Sequence, residues 1–155
     1  MTILDAYAVI AYLRAEPAAA EVRPLLTAGS ARLTAVGVAE VLDHLVRLAG
    51  ADEESAALDL AQLDLLDGIA VDAALGLAAG RLRARRYHRS RCAVSMADCI
   101  AAEAARHASA GLATGDPHLL DLCHAEGIST TVLTASDGTR WTPPDHSPSP
   151  APRTP

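Results

Sequence analysis

Four acidic residues, Asp5, Glu40, Asp98 and Asp116, are the strongest candidates for chemistry in this chain. Each falls where a short apolar strand gives way to a helix, or one turn into that helix. Asp5 follows Thr2-Ile3-Leu4, Asp98 lies in Ser95-Met96-Ala97-Asp98-Cys99-Ile100-Ala101-Ala102, and Asp116 closes Ala113-Thr114-Gly115-Asp116. In a parallel sheet the carboxyl ends of the strands are where ligands bind. Carboxylates gathered there repel one another unless something positive sits between them. A hard divalent cation, Mg²⁺ or Mn²⁺, prefers such oxygen ligands. The pattern points to metal-assisted phosphate chemistry.

Each acid also has a simpler reading. Ser95 and Asp98 have capping-box spacing. Asp5 could cap the first helix, and Asp116 before Pro117 is a good N-cap followed by proline at the first helical position. Glu40 shares a polar helix face with Asp43, His44 and Arg47. Singly, these readings compete evenly with a site. Jointly they do not, because independent caps have no reason to gather at one edge of one sheet.

The elements that must position the acids alternate. Strands are expected at Thr2–Leu4, Ala31–Thr34, Ile69–Val71, Leu112–Thr114 and Thr131–Leu133. Helices are expected at Tyr7–Arg14, Ala18–Thr27, Val36–Ala49, Asp52–Leu66, Ala73–Arg86, Ser95–Ala108 and Pro117–Glu126. Pro24 is awkward inside the second of these. Such alternation predicts an α/β fold, a three-layer α/β/α sandwich around a parallel sheet of four or five strands.

Composition narrows the class. The chain has 155 residues and half are apolar, with no Phe and a single Trp, so its core must be Leu, Val, Ile and Ala. That is one domain, large enough for a genuine core. The net charge of −6 argues against nonspecific nucleic-acid binding over the whole surface. All 13 basic residues are arginine, and six of them fall between Arg81 and Arg91 with no acid among them. That run is either a solvated helix end, which the dipole favours, or a phosphate-binding patch. Three cysteines without a C-x-x-C pair fit reduced thiols better than a disulfide framework. No stretch is long and apolar enough to span a membrane, and the chain opens without the basic and apolar regions of a signal peptide. A soluble, cytoplasmic protein is expected, with a domain over 1–135 and a disordered tail over 142–155, which holds six of the nine prolines.

The motifs together resemble PIN-domain ribonucleases, in particular VapC-type toxins of bacterial toxin–antitoxin pairs. Ile3-Leu4-Asp5-Ala6-Tyr7-Ala8-Val9-Ile10 resembles the family's first strand, first acid and following helix. Glu40 matches the second acid. Asp98, in its alanine-rich helix, is similar to the third. Thr114-Gly115-Asp116-Pro117-His118-Leu119 resembles the last element, with Leu119 where an aromatic residue is usual. The resemblance implies a Mg²⁺- or Mn²⁺-dependent endoribonuclease acting on RNA, a cognate VapB-type antitoxin and a homodimer. Asp5 and Asp98 would be metal ligands, and Asp116 a direct or water-mediated one. Glu40 would hold a water on the metal or position the nucleophile, and Thr114 would orient a carboxylate.

Two alternatives stay open: a housekeeping PIN nuclease in RNA processing, and a catalytically silent module that binds RNA or protein. His118, Asp121, Cys123 and His124 have a zinc-like composition but lack zinc-ligand spacing. Within the basic run, Arg85, Arg86 and Arg89 are the candidate RNA contacts, expected near the rim of the acidic groove.

Overall fold

The computed structural model describes residues 1–144. Its strands are β1 (Thr2–Leu4), β2 (Ala31–Arg32), β3 (Gly111–Thr114) and β4 (Thr130–Val132). Its α-helices are α1 (Ala6–Leu13), α2 (Ala19–Thr27), α3 (Ala35–Asp43), α4 (Glu53–Gln62), α5 (Ala73–Arg86), α6 (Met96–His107) and α7 (Pro117–Glu126). The strands form one parallel sheet in the order β2-β1-β3-β4. The chain leaves β1 for β2 on one side and later returns to β3 on the other. The reversal lies between β1 and β3, where an open α/β sheet leaves a crevice beyond its strand ends.

Side chains alternate across each strand, so one strand feeds two cores. Ile3 and Leu112 point into the cluster built from α5, α6 and α7, with Leu82, Ala102, Leu119 and Leu122. Their neighbours Leu4 and Ala113 point the other way, into the cluster built from α1 to α4, with Val9, Leu33, Val41 and Leu60. This is the expected three-layer sandwich. Alanine dominates the buried side of α6: Ala101, Ala102, Ala104 and Ala105 are all buried. Small side chains there let the helix approach closely.

Two expected elements come out differently. Ile69–Val71 is not a strand. Ile69 alone forms a parallel bridge to Thr34, through Ile69 N–H to Leu33 O and Ala35 N–H to Ile69 O. The sheet therefore has four strands, because β2 hands its chain into α3 too early to pair further. The helix expected over Val36–Ala49 changes register at His44, and His44–Leu48 is a π-helical turn. Pro24 stays inside α2. Beyond β4 the chain turns back, with Thr134 bridging Arg140, and Trp141 Nε1–H donates to Asp121 on α7. Residues 142–144 have no regular structure, and 145–155 of the expected tail lie outside the described residues.

Candidate active site

The sequence makes Asp5 the N-cap residue of α1, and its backbone has the extended N-cap conformation. The side chain makes no capping bond. Instead Thr114 Oγ1–H, from the end of the neighbouring β3, donates to Asp5 Oδ2 at 2.7 Å, and Asp5 is only 6% exposed. A buried carboxylate that forgoes its own helix is held for something else. The same Thr114 Oγ1 accepts from Asp116 N–H at 3.0 Å, so one hydroxyl ties the first acid to the last.

The other acids show how a cap and a site can coincide. Asp98 completes the capping box: Ser95 Oγ accepts from Asp98 N–H, and Asp98 Oδ2 accepts from Ser95 N–H at 2.6 Å. Asp116 Oδ1 accepts from His118 N–H and Leu119 N–H. In both residues only one carboxylate oxygen makes these bonds, and both residues line the cavity. Glu40, on α3 beyond the Thr34 cap, is half-buried rather than solvated surface.

Asp5, Glu40, Asp98 and Asp116 line one cavity of about 320 Å³, together with Tyr7, Arg14, Glu16, His44 and Ser136. Burial, and then repulsion between the acids, raises the proton affinity of Asp5, Glu40 and Asp98. Burial, then the charge of Asp98, lifts Asp5 to about 7, partly countered by the Thr114 hydrogen bond. Burial and then Asp98 raise Glu40. Burial raises Asp98 too, against the pull of the Ser95 bonds. An all-oxygen set of mutually repelling carboxylates suits a hard divalent cation. Among the described residues, no three His, Cys, Asp or Glu groups form a ready-made ligand cluster.

Gly115 makes room for Tyr7, whose ring lines the cavity. A Cβ at this position would come within 2.6 Å of Tyr7 Cε1. Its absence lets the Tyr7 ring lie against the backbone and donate its hydroxyl to Thr134 O at 2.6 Å. Thr134 is further fixed by Glu21, which accepts from its N–H and its hydroxyl.

The expected arginines lie elsewhere. Arg86 Nε–H donates to Glu126 at 2.6 Å, and Arg85 stands 3.9 Å from the same carboxylate. Glu126 sits at the C-terminal end of α7, the end opposite Asp116, and also pairs with Arg106 at 2.8 Å. Arg89 is exposed and does not line the cavity. The cavity's guanidinium belongs to Arg14, which carried no signal in sequence: a lone arginine at the end of a short helix.

The PIN domain family model matches residues 2–125. This chain belongs to the PIN domain family. The four-stranded parallel sheet between helical layers is the corresponding α/β/α fold. Among solved structures the chain is similar to FitAcB from Neisseria gonorrhoeae, with a TM-score of 0.61 at 19% identity over 84% of this chain and 96% of that one. A search of curated proteins finds no match. Among the described residues no helix is long and apolar enough to cross a membrane.

Proposed function

We propose that this PIN domain is a metal-dependent endoribonuclease and the toxin of a VapBC-type toxin–antitoxin pair. The observation that carries the nuclease reading is Asp5, drawn off its helix cap by Thr114 and buried beside three further carboxylates in one open cavity. A silent binding module would have no use for that costly arrangement, since burying mutually repelling acids destabilises a fold. The toxin reading rests on the resemblance of the four motifs to VapC-type proteins.

Asp5 and Asp98 would hold Mg²⁺ or Mn²⁺, with Asp116 and Glu40 directly or through water. When bound, the cation supplies charge neutralisation at the phosphate and a lowered pKa for a water nucleophile. The chain's own groups do the rest. Thr114 fixes the orientation of Asp5 by its hydrogen bond. Burial, then the charge of Asp98, raises the proton affinity of Glu40 above that of an ordinary carboxylate, which favours its accepting a proton from water. The caps on Asp98 and Asp116 prevent their carboxylates from rotating away. The antitoxin would be a small VapB-type protein that inserts an arginine among these carboxylates, a bidentate charge-assisted pairing. Exposed leucines such as Leu58 and Leu77 offer apolar surface for a homodimer.

The test is cleavage of total RNA by the purified chain with Mg²⁺, with chelator and Asp98→Asn as controls and fragment ends mapped. Cleavage that survives both controls would reject the proposal.

A further inference from the structure

RNA must enter a cavity lined by five acids: Asp5, Glu16, Glu40, Asp98 and Asp116. A bound cation offsets charge locally, but the phosphates flanking the cut still meet carboxylates. The arginine run does not relieve this. Arg85 and Arg86 lie on Glu126, and Arg83 donates to Val94 O with its guanidinium over the Tyr87 ring at 4.2 Å. Among the described residues that line the cavity, only Arg14 and His44 are basic. A guanidinium can only donate, so in the 3.4 Å contact between Arg14 and His44 the imidazole Nε2 is the acceptor. Among the described residues that line the cavity, Arg14 brings the one permanent positive charge.

Arg14 is also held loosely. Its closest carboxylate contact is a single one to Glu16 at 3.5 Å, and its side chain is 43% exposed. Arg86 and Arg106 on Glu126, Arg47 on Asp43 and Arg140 on Glu21 all sit within 2.8 Å of their acids. Glu16, in turn, is fixed from the other side: Ser136 Oγ–H donates to its Oε2 at 2.8 Å. Ser136 belongs to the turn after β4, outside the 2–125 family match, and this turn is clamped by Tyr7 and Glu21.

We propose that Arg14 is the substrate-binding arginine of this cavity. It pairs with Glu16 in the free protein and transfers to a backbone phosphate beside the scissile one when RNA enters. Glu16, held by Ser136, is the acid that parks it. This rests on the nuclease reading and adds which residue receives the RNA backbone. An arginine fork matches two phosphate oxygens, whereas Glu16 engages it at one long contact.

The experiment uses the full chain and a labelled single-stranded RNA with Mg²⁺. Affinity is measured at several salt concentrations in the Asp98→Asn background, and kinetics are measured in the active chain. Arg14→Gln is expected to lower the slope of log K against log salt by about 0.7, one phosphate contact. In the active chain it should raise KM more than it lowers kcat, and Arg14→Lys should recover part of the loss. Glu16→Gln should tighten RNA binding, and the gain should shrink in Arg14→Gln/Glu16→Gln to what the loss of one repelling charge alone supplies. Arg23→Gln, an exposed arginine of α2 away from the cavity, controls for net charge. An Arg14→Gln slope no different from that of Arg23→Gln, or a Glu16→Gln gain undiminished in the absence of Arg14, overturns the assignment even if RNA is cut. A wild-type chain that neither binds nor cuts RNA overturns the nuclease reading with it.

Discussion

Asp5 makes the stability of the metal-free protein depend on pH in an unusual direction. Its carboxyl rises from 3.8 to about 7, first because it is buried and then because Asp98, Glu40 and Asp116 repel its charge. Between those two values the unfolded chain has lost the proton and the folded chain still holds it. Stability therefore falls as pH rises, by about 1.4 kcal/mol per pH unit, and levels off above 7. Over the full span the loss is at most about 4 kcal/mol, and between pH 5 and 8 about 3 kcal/mol. Asp98 and Glu40 are raised as well and act in the same direction. The lowered carboxyls of Glu21 and Glu126 oppose them only in more acidic solution. Asp5→Asn removes the titrating group while its amide oxygen still accepts from Thr114. In chelator, thermal unfolding of the wild type should drop by roughly 6–12 °C between pH 5 and 8, and that of Asp5→Asn by much less. Mg²⁺ at a hundredfold excess over its Kd should return about 2.7 kcal/mol to the wild type at pH 8. Parallel pH profiles for the two proteins in chelator would refute the reasoning, because they would mean that Asp5 is charged at no cost in the fold.

Three further outcomes are expected. Thr114→Val removes the hydroxyl that joins Asp5 to Asp116 and lowers Asp5's proton affinity, so metal affinity should fall roughly 10- to 100-fold, read by calorimetry. Gly115→Ala drives a methyl into Tyr7 and should cost about 1–3 kcal/mol in urea unfolding; an unchanged midpoint would mean Tyr7 is free to move. Expression of the wild type alone should arrest bacterial growth, and Asp98→Asn should abolish the arrest while a melting curve shows the protein folded. The Ser95 capping bonds survive in part with an amide, so undiminished toxicity in that variant would reject metal-assisted cleavage.

Much of this protein is local, and local physics is legible in sequence. The Thr2–Leu4 strand, the Ser95–Asp98 capping box, the Asp116-Pro117 helix start and the Gly127 stop depend on neighbours in the chain, and each forms as its residues dictate. The order of strands and helices followed from the same signals. The strand expected at Ile69–Val71 failed because an apolar run becomes a strand only where a neighbour presents a free edge. Here β2 turns into α3 after two residues, and one bridge is all that remains. The register change at His44 likewise left no mark in a periodic apolar stripe.

The site divides in the same way. The four acids could be named from their positions, but whether Asp5 caps α1 or faces the cavity was decided by Thr114, 109 residues away. Only the packing of β3 beside β1 brings that hydroxyl within reach. The basic residue of the cavity was invisible for the same reason. The clustered arginines of α5 look like a phosphate patch in sequence, yet two of them stand against Glu126 at the far end of α7. Arg14, isolated in sequence, is carried to the carboxylates by a helix that starts at Asp5 itself. Residue types and their order are set by the chain; which charges meet is set by distance, and distance is a property of the fold.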